Sequence, residues 1–81
     1  MAEMRILSGC GDTTVSWDAR KAATDDPEAA AALHEAERIF EEAQARGATA
    51  FSVAPDRPAR RLDRFDPSEE RIVVIPRVAG G

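Results

Sequence analysis

The stretch Arg71-Ile72-Val73-Val74-Ile75 decides how this chain is read. Four apolar residues, all of them β-branched, follow one another without the polar alternation of a half-exposed strand. Such a run predicts a strand buried on both faces, at the centre of a sheet. Pro76 stops it, and Arg77, Val78, Ala79, Gly80 and Gly81 follow.

The elements around that strand fall into a simple order. Residues 4–8 (MRILS) and 13–17 (TVSW preceded by Thr13) are rich in β-branched and apolar residues, and the turn formers of 9–12 separate them as a hairpin. Thr13, Val15 and Trp17 share one face of the second strand, which predicts Trp17 at the edge of the core. Residues 18–26 (DARKAATDD) read as a polar linker that ends in a helix start. Asp26 is a capping residue, Pro27 suits the first helical position, and Glu28 meets the positive end of the helix. The helix runs to about Arg46, where Gly47 supplies a left-handed stop. Ala29, Leu33, Ala36, Phe40 and Ala43 lie on its apolar stripe with Ile39 on the flank, while Glu35, Glu37, Arg38, Glu41 and Glu42 form a solvated face.

Residues 48–54 (ATAFSVA) read as a third strand. Residues 55–61 (PDRPARR) read as a loop, because two prolines exclude a central strand there. Residues 61–65 (RLDRF) read as a short fourth strand and 66–70 (DPSEE) as a turn before the final strand. The predicted core comprises Ile6, Val15, Leu33, Phe40, Phe51, Ile72 and Val74. The resulting order of strand, strand, helix, strand, short strand, strand describes an α+β domain of the β-grasp arrangement. There the last strand sits centrally and parallel to the first, beneath one covering helix.

Composition narrows the function. At 81 residues the chain has room for one small core, since a domain of this size buries only ~60% of its unfolded surface. Hydrophobic content of 43% and charged content of 32% describe an ordinary globular domain. A net charge of −4 argues against nucleic acid as a partner. No apolar segment approaches the ~20 residues of a membrane helix, and no signal-peptide pattern opens the chain. Cys10 is the only cysteine, which excludes an internal disulfide and fits a reducing cytoplasm. Neither Cys10 nor His34 has companions at metal-ligand spacing. No nucleophile, base and acid occur together, so no enzymatic activity, catalytic residue or bound cofactor is expected.

The ending carries the chemistry. Ile75-Pro76-Arg77-Val78-Ala79-Gly80-Gly81, after a central strand, resembles the ending of the ubiquitin-like proteins. It looks most like the molybdopterin-synthase sulfur carrier and its thiamine-pathway relative, although Arg77 stands where those carriers often have a second proline. GDTTVSWD (11–18), the AFSV strand (50–53), RFDPSEERIVVIP (64–76) and the final glycines also resemble small bacterial ubiquitin-like modifiers that work with E1-, E2- and peptidase-like proteins. The likeness covers the whole predicted topology and is sharp over residues 75–81.

The resemblance implies a β-grasp body over residues 1–76 and a flexible di-glycine tail over residues 77–81. It implies that an E1-like enzyme binds the tail through Arg77, Val78 and Ala79 and activates the carboxylate of Gly81, with Gly80 beside it, at the expense of ATP held by the enzyme. An E2-like enzyme, a deconjugating peptidase and a target protein follow from the same likeness, and Lys21, the only lysine, is the candidate acceptor for a chain. Glycine suits a terminus that threads a narrow channel, because it adds no side chain and restricts the backbone least. A sulfur carrier ending in a thiocarboxylate is the alternative from metabolism. A β-grasp interaction module without tail chemistry is the third.

Overall fold

The computed structural model describes residues 1–8 and 11–77. Cys10 and the tail residues Val78, Ala79, Gly80 and Gly81 lie outside the described residues. Strands β1 (Ala2–Ser8) and β2 (Gly11–Trp17) precede a one-turn helix α1 (Ala19–Ala22) and the long helix α2 (Pro27–Ala45). Strands β3 (Thr49–Ala54), β4 (Arg57–Leu62) and β5 (Arg71–Ile75) complete a five-stranded mixed sheet of order β2-β1-β5-β3-β4. The fold is thus α+β, with one main helix.

β5 occupies the centre, as its apolar run predicts. It pairs in parallel with β1, Met4 opposite Ile72 and Ile6 opposite Val74, and antiparallel with β3. Ile72 and Val74 are buried beneath the helix, together with Met4, Trp17, Ala50 and Leu62 from the other strands. From α2, Ala29, Ala36 and Phe40 are buried and Leu33, Ile39 and Ala43 pack partly against the same core. The alanines let the helix approach the sheet closely, and Phe40 fills the space between them. Phe65 closes one side of that core, with its ring 5.1 Å from Trp17 and 5.6 Å from Phe40. Trp17 is fully buried rather than at the core edge, and its indole N–H donates to the Pro67 carbonyl at 3.1 Å.

Both ends of α2 follow the sequence. The Asp26 carboxylate accepts from the backbone N–H groups of Glu28 and Ala29, satisfying donors that the helix leaves unpaired. At the other end Gly47 takes φ +93°, the left-handed geometry that stops the chain there. On the outer face Arg38 bridges Glu35 and Glu42 one turn to either side.

Four expectations are corrected. The linker after Trp17 contains a helix, since Asp18 caps α1 by accepting from the N–H groups of Arg20 and Lys21. β4 occupies most of the segment expected to be a loop, and the strand expected at 61–65 ends at Leu62. Proline is tolerated because β4 is an edge strand, and Pro58 falls where the pairing with β3 shifts register between Ser52 and Ala54. β5 is not buried on both faces: Ile72 and Val74 face the helix, whereas Val73 is half-buried and Ile75 is 41% exposed on the other side. For the same reason Phe51 stands opposite Val73, outside the core that the sequence assigned to it.

Candidate functional site

Alternation along five paired strands sends half of the sheet's side chains away from the helix. Pairing places Thr14, Arg5, Val73, Phe51 and Arg61 in one row across that open face. The next row toward the end of β5 pairs Ile75 with Thr49, and Leu7 lies two residues beyond Arg5 on the same side of β1. A row on the other side holds Ser16, Glu3 and Arg71, with an Arg71 to Glu3 ion pair at 3.5 Å. The outcome is an apolar centre of Leu7, Phe51, Val73 and Ile75 bordered by the exposed arginines Arg5, Arg61 and Arg71. No residue of α1 or α2 covers it, because both helices pack on the opposite face.

The sequence held the signal for this face. A strand apolar on both sides, in a domain with a single long helix, leaves one apolar side without a cover. Without the strand register, the same run predicts burial on both faces.

The chain leaves the sheet at the same end as Ile75. Pro76 and Arg77 are exposed, and the Arg77 side chain lies over Gly47, its Cδ 3.0 Å from the point where a Cβ on Gly47 would project. Gly47 therefore serves two purposes. It ends α2, and it leaves room for the stem of the first residue after Pro76. A guanidinium carried past a helix C-terminus also complements the negative end of the helix dipole, in a last turn that holds no basic residue of its own. Of the tail residues expected to be recognised, Arg77 is thus placed beside α2, and Val78, Ala79, Gly80 and Gly81 fall outside the described residues. Lys21 is exposed in α1, on the stretch expected to be a linker.

A charged cluster gathers around Glu69. Glu69 is buried, with 8% exposure, and its carboxylate accepts from the Ser52 hydroxyl, from Arg60 at 2.7 Å and from Arg57 at 3.4 Å. Burial of a carboxylate is tolerated only with such partners. Arg57 and Arg60 turn to Glu69 and tie β4 to the approach of β5. Every oxygen of this cluster that could act is already engaged, which makes its role structural.

A concavity lies at the opposite end of β5, lined by Met1, Glu3, Ser16, Asp56, Arg57, Glu70 and Arg71 among others. Its lining mixes both charges. Among the described residues no group of His, Cys, Asp and Glu is arranged to hold a metal ion, and no helix is long and apolar enough to cross a membrane. Comparison with protein-family models, curated proteins and solved structures finds no match for the chain.

Proposed function

We propose that this protein is a ubiquitin-like modifier of β-grasp fold, activated at the carboxylate of Gly81 by an E1-like adenylating enzyme and joined to a target protein in the cytoplasm. The observation that carries the reading is the position of β5. The central strand, parallel to β1, passes the chain through Pro76 and Arg77 to the sequence Val78-Ala79-Gly80-Gly81, at the same end as the uncovered apolar patch. The order β2-β1-β5-β3-β4 beneath a single long helix is compatible with a β-grasp sheet and supports this reading.

Division of labour follows from the residues. This chain supplies a docking surface and a terminus, and the enzyme supplies ATP and the catalytic groups. The open face of Leu7, Phe51, Val73 and Ile75 would seat the activating enzyme, with Arg5 and Arg61 setting orientation at the rim. The Gly81 carboxylate then attacks the α-phosphate of ATP and displaces pyrophosphate. The acyl-adenylate so formed has a good leaving group, and a thiol or an amine replaces AMP at the carbonyl carbon. An E2-like enzyme and a deconjugating peptidase complete the cycle, and Lys21 is the sole side-chain amine from which a chain of this protein would grow.

A sulfur carrier shares the adenylation step and differs in the nucleophile that follows. Incubation with an E1-like enzyme encoded beside this protein, ATP and a cell extract from the same source tests the reading. Intact-mass analysis is expected to show this chain in amide linkage to another protein. A product consisting only of the thiocarboxylate would replace conjugation by sulfur transfer, and no ATP-dependent product would leave the domain as an interaction module.

A further inference from the structure

An open sheet has two edges, and this chain treats its two differently. β4 carries Pro58, a register shift and the arginines Arg57, Arg60 and Arg61, all features that discourage another strand from pairing. β2 carries none of them. Its seven residues, Gly11-Asp12-Thr13-Thr14-Val15-Ser16-Trp17, include no proline and no basic residue, and only Asp12 is charged. All but Val15 and Trp17 are exposed, and among the described residues the strand pairs on one side only, with β1. A regular edge of this length without a guard is a template for strand addition.

We propose that the occupant of this edge is β2 of a second copy, paired antiparallel about a two-fold axis at Thr14 to give one continuous sheet. Full overlap of the strand with itself sets Thr14 opposite Thr14, Thr13 opposite Val15, Asp12 opposite Ser16 and Gly11 opposite Trp17. Every opposition is favourable or neutral. Thr–Thr and Thr–Val are good cross-strand pairs, the single acidic residue faces a hydroxyl rather than its own copy, and the bulkiest side chain faces the residue that has none. The same operation on β4 fails, because it sets Pro58 opposite Arg61 and crowds three arginines of each copy together. Joining β4 to β2 again meets Pro58.

Directly opposed residues share a face, so both helical layers of the dimer lie on one side and both apolar patches on the other. The pairing leaves Leu7, Phe51, Val73 and Ile75 uncovered, and so does not compete with the docking surface described above. One strand pair buries less than the ~1,200 Å² of a standard stable interface, so the dimer is weak and depends on concentration.

Sedimentation velocity over a concentration series from micromolar to millimolar tests the existence of the dimer. The wild-type chain is expected to move from monomer toward dimer mass, and Thr14→Lys, which opposes two like charges at the axis, to stay monomeric with unchanged circular dichroism. Cysteine pairing tests the register without relying on that variant. In a Cys10→Ser background Thr14→Cys is expected to form a disulfide dimer under mild oxidation. Ser16→Cys alone is expected to form little, but to cross-link to Asp12→Cys when the two are mixed. A wild-type chain that remains monomeric throughout overturns the proposal, as does equal self-cross-linking of Thr14→Cys and Ser16→Cys.

Discussion

Phe51 of β3 and Val73 of β5 stand directly opposite each other on the sheet face that no helix covers. Both side chains are partly buried in the isolated domain and keep some apolar surface in contact with water. Their apolar surface is worth more to a partner that removes it from water. Replacing Val73 and Ile75 by threonine keeps β-branched side chains in the strand. The double variant is expected to stay folded with a modestly lower urea midpoint, a loss of ~1 kcal/mol, since Val73 is partly buried and Ile75 exposed. Its kcat/KM in activation by the E1-like enzyme is expected to fall about tenfold or more, in line with ~1–3 kcal/mol for a buried interface anchor. Equal activation of the variant and the wild type would exclude this face as the docking surface.

The covered face behaves in the opposite way. Phe40 is 1% exposed, packs edge-on to Phe65 and fills the gap left by the alanines of α2. Phe40→Ala is expected to cost ~3–5 kcal/mol in urea unfolding, the range for removing a fully buried aromatic ring. Unfolding followed by Trp17 fluorescence reports on the same cluster, since Trp17 and Phe65 are in contact.

Glu69 is held by Ser52, Arg57 and Arg60, but only Ser52 shares its burial, the arginines being more than half exposed. Removing the carboxylate lets both guanidiniums return to water and strands one buried hydroxyl. Glu69→Ala is therefore expected to cost ~1–3 kcal/mol, the penalty for a buried polar group left without its partner. Faster amide hydrogen exchange in β4 than in β1 would locate the loss, and uniform exchange across the sheet would contradict it.

Acid should weaken the fold through its turns. The Asp18 carboxyl lies below its ordinary range chiefly because the Lys21 backbone N–H donates to it, and Asp66 lies below its range chiefly because of the Ser68 hydroxyl. Their folded-state values are depressed, so the stability they contribute is present above the unfolded carboxylate range, ~3.9 for Asp. It is lost as pH falls through the folded values. Asp66→Asn is expected to flatten the acid limb of a stability-versus-pH curve measured by urea unfolding. An unchanged limb would show that Asp66 does not contribute.

Much of this architecture could be read directly from residue types. Asp26, Pro27 and Gly47 mark the ends of α2 because each has one backbone geometry it serves best, and the run Ile72–Val74 marks a centre because nothing else in the chain is so apolar. What stayed hidden depends on tertiary context. Pro58 is compatible with a strand only because that strand is an edge with a register shift, which no local pattern reveals. Glu69 is buried by partners 9 and 17 residues away in sequence, so its neighbours alone read as a solvated turn. α1 is a single capped turn, too short for a periodic signal. The open face was implied by apolar residues on both sides of β5, yet its full outline needed the register of four strands.

ATP–pyrophosphate exchange by the proposed E1-like partner, measured with the full chain and with Gly80 and Gly81 deleted, tests the proposed activation most directly. Glycine adds no side chain to a core, so the truncated chain is expected to keep the melting temperature of the full one. Exchange is expected with the full chain, to be reduced with Gly81→Ala, whose methyl crowds the carboxylate, and to be absent with the deletion. Undiminished exchange by the truncated, folded chain would contradict the assignment of the Gly81 carboxylate as the reacting group.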